Sequence, residues 1–329
     1  MDAAKDTGSD RRTGGGGLRI LLAGGSGVLG RSAAKELTAA GHQVVQLGRG
    51  ASHDIRADLL DRDALLRAVD GLRFDVVVHA ATALSGKSMT RHRDMDGTNT
   101  LRTAGTRHLL EAARTTGAWR CVTESMMFGY GYGDHGEGPV TEAGTPFGPH
   151  SDDKHLERHV AAMRVNEELV LGADGVEGVA LRFGLFYGAG VTDTLMLPLL
   201  RKRTMPVVDD THRQVSWVEA GDAARAVALA VTSGRPGQAY NIADDRPLGF
   251  ATHIRAVADA YGVARPLTVP AWVLRATPLM RAIMGTRLKL DSAKAAAELG
   301  WRPSYRDSAQ GVRAIAAGPV AGAGPLLPA

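Results

Sequence analysis

The chain has 329 residues, of which 44% are hydrophobic, and a formal net charge of only +4 at pH 7. This length allows one large domain or two smaller ones with a full core. No stretch of 18 apolar residues occurs and the first residues lack an apolar signal core, which argues against a membrane span and a secretory signal. No block of five basic residues occurs, so nucleic-acid binding is not expected. The single cysteine, Cys121, excludes an internal disulfide, and together these features predict a cytoplasmic protein.

The two ends differ in composition from the rest of the chain. Residues 1–17 are polar and end in four glycines, and residues 318–329 carry no charge and are rich in Gly, Pro and Ala. Neither segment has enough apolar surface to fold by burying it. Both are predicted to be disordered tails.

Between the tails, short apolar runs alternate with helix-like stretches. In chain order they are strand 18–23, helix 31–40, strand 43–47, helix 61–69, strand 75–80, helix 98–115 and strand 120–123. Such alternation predicts βαβ units, a parallel sheet and helices on both of its faces. We therefore predict an α/β fold, a Rossmann-type doubly wound sheet, over residues 18–184. A smaller mixed substrate lobe is predicted over 185–317, with some segments returning to the sheet.

Residues 129–151 interrupt this alternation. They are rich in Gly and Pro and contain Tyr130, Tyr132, His135 and His150. A connection of this length in a compact domain is usually functional. Helix 151–171 is predicted to follow, with Ser151 as its N-cap.

A glycine-rich loop follows the first predicted strand. Its residues are Gly24, Gly25, Ser26, Gly27, Val28, Leu29 and Gly30. They satisfy both G-x-G-x-x-G and G-x-x-G-x-x-G, between a strand and a helix, as a dinucleotide fingerprint requires. Glycine allows positive φ and a close approach of the backbone to a pyrophosphate, and the helix N-terminus attracts its charge. The loop predicts a bound nicotinamide dinucleotide.

The end of the second strand indicates which dinucleotide is bound. An NAD-selective site places Asp or Glu there for the ribose 2′-hydroxyl. This chain has Arg49, whose guanidinium suits a 2′-phosphate through paired, charge-assisted hydrogen bonds. The sequence therefore favours NADP(H) over NAD(H).

Further short motifs follow the glycine loop in a definite order. They are Asp58-Leu59, His79-Ala80-Ala81, Gly105-Thr106, Leu181-Arg182 with Tyr187-Gly188, Ser216-Trp217-Val218, Tyr240-Asn241-Ile242 and Leu299-Gly300-Trp301. In this order and spacing the chain resembles the extended short-chain dehydrogenase/reductase family, in its NAD(P)-dependent epimerase/dehydratase branch. The resemblance implies further cofactor contacts from Asp58, Leu59, Ala80, Ala81, Thr82 and Phe183.

The resemblance also implies a reaction. In that family a tyrosine phenol exchanges a proton with the substrate while hydride moves to or from the nicotinamide, and a lysine four residues later assists it. Ser125 matches the family's serine, which hydrogen-bonds the substrate oxygen. The Tyr-x-x-x-Lys pair is absent, because none of the six tyrosines has lysine four residues later. The chain is thus an atypical member, and Arg102 stands where the family has a structural asparagine.

Two alignments of the chain with the family offer residues in place of the missing Tyr–Lys pair, and both put a histidine at the tyrosine position. One pairs His150 with Lys154, and the other, aligned on Glu167, places His159 there with Met163 at the lysine position. Histidine titrates near neutral pH and could relay a proton without lysine. His155 and His159 are four residues apart without forming H-E-x-x-H, so no metal is predicted.

The substrate is predicted to meet apolar and aromatic side chains of the second lobe and of the segment after strand 120–123. The predicted lining residues are Met126, Met127, Tyr130, Tyr187, Met196, His212, Arg213 and Trp217. We predict an NADP(H)-dependent oxidoreductase acting on a carbonyl or hydroxyl of a small metabolite. Two alternatives stay open: a sugar-type epimerase or dehydratase with a tightly held cofactor, and a cofactor-binding sensor or non-redox isomerase. The resemblance is also compatible with a homodimer.

Overall fold

The computed structural model describes residues 16–84, 89–208 and 213–318. The predicted tails lie outside the described residues apart from 16, 17 and 318, and His212 also lies outside them. The strands are β1 Arg19–Ala23, β2 Gln43–Gly48, β3 Ile55–Arg56, β4 Val76–His79, β5 Arg120–Met126, β6 Glu177–Phe183, β7 Leu185–Tyr187, β8 Gln214–Val215, β9 Trp217–Glu219, β10 Gln238–Ile242 and β11 Leu248–Gly249. The α-helices are α1 Val28–Ala39, α2 Arg62–Val69, α3 Asp96–Thr100, α4 Thr106–Thr116, α5 Lys154–Leu171, α6 Leu197–Arg201, α7 Ala220–Ser233, α8 Phe250–Ala260, α9 Pro278–Gly285, α10 Ala293–Leu299 and α11 Ser308–Ala316.

Seven strands form one parallel sheet in the order β10-β6-β5-β4-β1-β2-β3. The α/β fold with a Rossmann-type doubly wound sheet is therefore confirmed. Strand β1 shows why helices must cover both faces. Ile20 and Leu22 pack with residues of α1 and α7, while Leu21 packs with residues of α2, α4 and α5. Because side chains alternate between the faces of a strand, this apolar run needs a core on each side.

A further apolar core of the C-terminal segments is built from α6, α8, α9 and α11 with two small sheets, and it also includes Met127 and Met163 of the preceding part of the chain. In these sheets β7 pairs with β9 in parallel and β8 pairs with β11 in antiparallel orientation. Strand β10 leaves the lobe and joins the main sheet beside β6. No helix among the described residues is long and apolar enough to cross a bilayer.

Two helices differ from their predicted form near the carboxyl edge of the sheet. The predicted helix 98–115 is α3, a π-helical turn at Leu101–Gly105 and then α4. Such turns inside helices are common at functional sites. The predicted N-cap Ser151 is wrong. Asp153 caps α5, because its carboxylate accepts the N–H groups of His155 at 2.8 Å and Leu156 at 3.2 Å.

Candidate active site

The glycine loop forms a tight turn between β1 and α1. Gly24 has φ of +91°, and its carbonyl accepts the Gly27 N–H at 2.9 Å. A Cβ at Gly24 would collide with the carbonyl of Ala80, and one at Gly30 would collide with the carbonyl of Gly24. Glycine is therefore required at both positions by positive φ or by the close packing of helix against strand.

The same loop presents the open N-terminus of α1. This helix begins at Val28, earlier than predicted, and its first turn carries no acidic residue. A Cβ at Gly27 would make a tight contact with the carbonyl of Gly24 at 3.3 Å and an ordinary one with that of Ala80 at 3.9 Å, so it is crowded less than a Cβ at Gly24 or Gly30. Arg31 of α1 donates to the Ser26 carbonyl at 2.5 Å and so ties the loop to the helix. Free N–H groups, a positive helix end and a backbone bare of side chains at the glycines fit a pyrophosphate.

Arg49 lies directly after β2, at the same edge of the sheet. Its side chain is 77% exposed, and Nη1 lies 4.0 Å from Oδ2 of Asp58. An exposed ion pair of this length is weak, so it leaves the guanidinium free to bind a ligand. Leu59 is buried beside Asp58, and its carbonyl lies 2.8 Å from Nδ1 of His108.

The chain that follows β4 packs against the glycine loop. Ala80 is buried with its carbonyl near Gly24, whereas Ala81 and Thr82 are half-buried. Phe183 does not share this setting. Its side chain is fully buried and packs on Phe186, with ring centroids 5.3 Å apart, so the ring does not face the cofactor cleft. Only the main chain of Phe183 could touch a cofactor.

Ser125 belongs to a buried polar network. Its hydroxyl donates to Oε1 of Glu167 at 2.6 Å, and Nη2 of Arg182 donates to Oε2 of Glu167 at 2.7 Å. Arg182 also donates to the hydroxyl of Tyr130 at 2.7 Å, and Tyr130 donates to Oδ1 of Asn241 at 2.9 Å. Burial raises the pKa of Tyr130 to about 12. Both hydroxyls thus donate to protein partners, and donating to a substrate oxygen would require these hydrogen bonds to break.

The structure places the histidines of the two alignments in different environments. His150 is 87% exposed with Nδ1 3.2 Å from Oε1 of Glu157, and Lys154 is exposed at the start of α5. From Lys154 to Glu167, the partner of Ser125, the helix rises by about 20 Å, at 1.5 Å per residue. The structure does not bring the His150–Lys154 pair to Ser125.

His159 instead lies fully buried on the inner face of α5. Its Nδ1 is 3.0 Å from Nδ2 of Asn99, and its Nε2 is 3.0 Å from Nδ1 of His92. Because an amide nitrogen only donates, His159 accepts at Nδ1 and its neutral ring carries the proton on Nε2, toward His92. Burial, and then the neighbouring His92, lower the pKa of His159 to about 4. The ring is therefore neutral at pH 7.

Glu124 and Arg102 also belong to this site. Thr123 pairs with His79, the last residue of β4, so Glu124 lies on the part of β5 that extends beyond β4. It is half-buried, and burial raises the pKa of its carboxyl to about 7, although Arg102 opposes this shift. Arg102 is buried in the π-helical turn and also acts electrostatically on Tyr132 and His159. We refer to Asn99, Arg102, Glu124, Tyr132 and His159 as the polar cluster.

The sequence prediction identified part of this cluster. His159 was one of two candidate histidines, and Arg102 was noted at the family's asparagine position. The sequence analysis assigns no role to Glu124. Its signal was a charged residue inside the otherwise apolar and small-residue end of a strand, where an unpaired charge is costly to bury.

Most predicted substrate-lining side chains are core residues. One apolar core contains Met127, Tyr187, Met196 and Trp217. These side chains are buried because the C-terminal segments need an apolar core in order to fold. The Tyr187 hydroxyl donates to Oδ2 of Asp244 at 2.9 Å, and Nε1 of Trp217 donates to the carbonyl of Leu248 at 3.0 Å. Met126 is half-buried between two cores, and Arg213 is exposed with a hydrogen bond to the carbonyl of Gly285.

Comparison with known proteins decides the family. The model of the NAD dependent epimerase/dehydratase family matches residues 20–243. The chain belongs to this family. Relatives and structural neighbours within it include reductases, dehydratases and epimerases. The protein is therefore an NAD(P)-dependent enzyme of the oxidoreductase or epimerase/dehydratase type.

Three similar proteins illustrate this range. A 3-diazoavenalumate denitrifying reductase from a Streptomyces species is 33% identical over 305 residues, covering 88% of this chain and 97% of the relative. The UDP-glucose 4-epimerase of Thermus thermophilus, solved with NAD, is 26% identical with a TM-score of 0.70 and covers 92% of this chain and 100% of its own. RMD from Pseudomonas aeruginosa, solved with NADPH, shares the fold at 20% identity with a TM-score of 0.68, covering 91% and 98% of the two chains.

Proposed function

We propose that the protein is an NADP(H)-dependent reductase of a small apolar or aromatic metabolite, in which the polar cluster replaces the missing Tyr–Lys pair. The observation that carries the proposal is the position of this cluster, at the carboxyl end of β5 and across β4 from the glycine loop. Ligands of doubly wound sheets bind outside the carboxyl ends of the strands. A dinucleotide whose pyrophosphate lies on the glycine loop would extend toward the cluster, and its nicotinamide would supply hydride there.

The cofactor choice rests on Arg49. Its guanidinium follows β2, where the adenosine ribose is expected, and its side chain is 77% exposed. Asp58, its weak ion-pair partner, would be displaced by a 2′-phosphate. A bidentate guanidinium–phosphate contact supports NADP(H) over NAD(H).

The substrate class rests on the neighbours of His159. Tyr132 meets the His159 ring edge-on at 6.5 Å and stacks on Phe128 at 4.8 Å. Oδ1 of Asn99 is buried and has no hydrogen-bond partner in the described part of the chain. Such an acceptor beside aromatic faces supports a planar, mainly apolar ligand with a polar edge.

A second candidate is the reductive removal of N2 from a diazo compound. It is favoured by the 33% identity to the denitrifying reductase and by the absence of the Tyr–Lys pair from the sequence. In that reaction hydride forms a new C–H bond while N2 leaves with the C–N bonding pair. A quinone diazide also needs one proton on its ring oxygen. No carbinol proton has to be removed, so a phenol–lysine relay is dispensable.

Calorimetric titration of cofactor-free protein with NADPH and NADH tests the cofactor proposal. NADPH oxidation is then followed with phenanthrenequinone and with an ortho-quinone diazide, the second with N2 measured by mass spectrometry. Tighter NADPH binding and quinone-dependent oxidation support the reductase, and N2 release supports the second candidate. Retained cofactor without net consumption favours an epimerase or dehydratase. If neither dinucleotide binds, the glycine-rich loop does not hold a cofactor and the proposal is wrong.

A further inference from the structure

We infer that the Glu124 carboxyl is the acid that delivers a proton to the substrate, and that Arg102 is a positioning residue whose charge stabilises the carboxylate that remains. This inference rests on the proposed reductase function and names the acid of the same site. The family resemblance of the sequence assigns no role to Glu124 and places a neutral asparagine where this chain has Arg102.

The strand geometry leaves Glu124 without a neighbouring strand on the β4 side. Residues 124–126 of β5 pair with Leu181–Phe183 of β6, but β4 has already ended at His79. The neighbouring Thr123 and Ser125 are buried, and their hydroxyls bond to Asn166 at 3.1 Å and Glu167 at 2.6 Å. Glu124 is half-buried between them. It is therefore the carboxyl that this strand offers to the carboxyl edge of the sheet.

Arg102 is the cation that acts electrostatically on Glu124, without a direct ion pair between the two side chains. The π-helical turn places Arg102 at the same edge, where it is only 6% exposed. A buried guanidinium is stable only beside an anion or another strong acceptor, and Glu124 is the acidic group that acts on it. Tyr132, His159 and His79 are the other titratable groups on which Arg102 acts or that act on it. Arg102 thus brings a charge to a place where the family has a neutral amide.

The alternatives to Glu124 are poor acids at neutral pH. His159 is neutral, with its pKa lowered to about 4, and both its nitrogens are hydrogen-bonded. Burial raises the pKa of the Tyr132 phenol beyond the physiological range. Burial also brings the pKa of Glu124 to about 7, so a substantial fraction of it is protonated at working pH. A general acid works best with a pKa near the operating pH.

The proton and electron balance of the step is simple for a carbonyl substrate. As the carbonyl carbon accepts hydride, the C=O π pair moves to oxygen, and that oxygen takes the proton from Glu124. The Glu124 carboxylate that remains is stabilised by Arg102. Water then restores the proton, so each turnover consumes one hydride and one solvent proton.

Titration of the cofactor-free protein tests the acid directly. Selective ¹³C labelling of glutamate side chains leaves the signal of Asp244, whose pKa is also raised, out of the NMR spectrum. We expect a glutamate carboxyl that titrates near neutral pH to disappear in Glu124→Gln and to move to higher pH in Arg102→Met. The Glu219 carboxyl, whose pKa burial also raises, should stay unchanged in both variants. Arg102→Lys should largely restore the pKa of the Glu124 carboxyl. Exposed Glu168→Gln is the matched control. A spectrum in which Glu124→Gln removes no carboxyl titrating above pH 6 overturns the inference.

Turnover supplies the second test, with NADPH and phenanthrenequinone as the probe. Wild-type kcat should fall as pH rises through the pKa of Glu124, because the acid must be protonated. Glu124→Gln should lower kcat by about 100-fold or more without changing the Kd of NADPH. Arg102→Met should move the fall of kcat to higher pH. The inference is overturned if the kcat of Glu124→Gln stays within threefold of wild type and falls over the same pH range. If wild type itself does not bind NADPH, the reductase function fails instead, independently of the carboxyl titration.

Discussion

The Ser125 hydroxyl donates a 2.6 Å hydrogen bond to Oε1 of Glu167, and both residues are almost completely buried. Removing this donor in Ser125→Ala leaves a buried carboxylate oxygen with one partner fewer. We expect the free energy of unfolding to fall by about 2 kcal/mol, because hydrogen bonds to charged groups are stronger than neutral ones. Urea denaturation measures this effect, with exposed Ser52→Ala as the control. A loss of turnover without a loss of stability would instead favour the substrate role that the family resemblance implies for Ser125.

Gly27→Ala should separate cofactor binding from folding. The added Cβ meets the Gly24 carbonyl at 3.3 Å, a tight contact that a small backbone shift relieves, and Gly27 has a φ of −72° that alanine adopts easily. The methyl group would, however, occupy the turn that the pyrophosphate approaches. We expect the Kd of NADPH to rise by about tenfold or more with little change in Tm. Calorimetry and thermal denaturation check the two effects.

Gly30→Ala is the contrasting variant, because its Cβ would collide with the Gly24 carbonyl. It should lower Tm as well as affinity. Equal behaviour of the Gly27 and Gly30 variants would contradict this assignment of the loop.

Arg49→Gln should change cofactor preference. The lost charge-assisted contact to a 2′-phosphate is expected to weaken NADPH binding by at least about tenfold while sparing NADH. Parallel calorimetric titrations measure both constants. Arg56→Gln, at an exposed position on β3, controls for general surface charge. An unchanged ratio of the two constants would remove the basis for NADP(H).

Buried histidines should make the protein sensitive to acid. His253 lies fully buried, stacked on Trp217 with centroids 3.9 Å apart, and burial lowers its pKa to about 3. Between pH 6.5 and 3 the unfolded chain binds a proton at this site that the folded chain does not. Stability therefore falls as pH falls through this window, by up to about 1.4 kcal/mol per pH unit for this group.

His253→Phe keeps a ring against Trp217 but cannot titrate. Its unfolding free energy should depend less steeply on pH between 6.5 and 3 than that of wild type. Denaturation at a series of pH values measures the slope, and exposed His150→Phe is the control. Parallel wild-type and His253→Phe curves would contradict the prediction.

Asp244 should act at the opposite end of the pH scale. It is 2% exposed, and burial raises its pKa to about 8, despite the hydrogen bond from Tyr187. Between about pH 4 and 8 the folded chain keeps a proton that the unfolded chain has released, so stability falls as pH rises. Asp244→Asn, which mimics the protonated form, should flatten this dependence in denaturation curves. Exposed Asp245→Asn should leave the dependence as it is in wild type.

The parts of the fold that sequence could predict are those encoded locally. Apolar runs such as Val76–His79 and the glycines of the first turn carry their own periodicity and backbone demands. Helix boundaries were less certain, because Ser151 and Asp153 are equally good caps in isolation. Only the structure shows that the Ser151 N–H bonds to Glu157, at 2.8 Å, and leaves the cap to Asp153.

The candidate site depended on contacts between distant segments. The sequence left His150 and His159 as equal alternatives, and helical packing separates them. His159 shares the buried face of α5 with Met163 and Glu167, whereas His150 precedes the helix at the surface. The electrostatic effect of Arg102 on Glu124 depends on a π-helical turn and on where β4 ends beside β5. No local pattern encodes either feature.

Cys121 lies on β5 with 1% of its surface exposed, and burial raises the pKa of its thiol to about 12. Alkylating reagents and dyes react with the thiolate, so the native protein should resist maleimide labelling. A cysteine introduced at an exposed position would then be the single reactive thiol of the folded chain. Fluorescent or spin probes could be attached there without first removing the natural cysteine, and a pair of introduced cysteines would allow distances between two labelled positions to be measured.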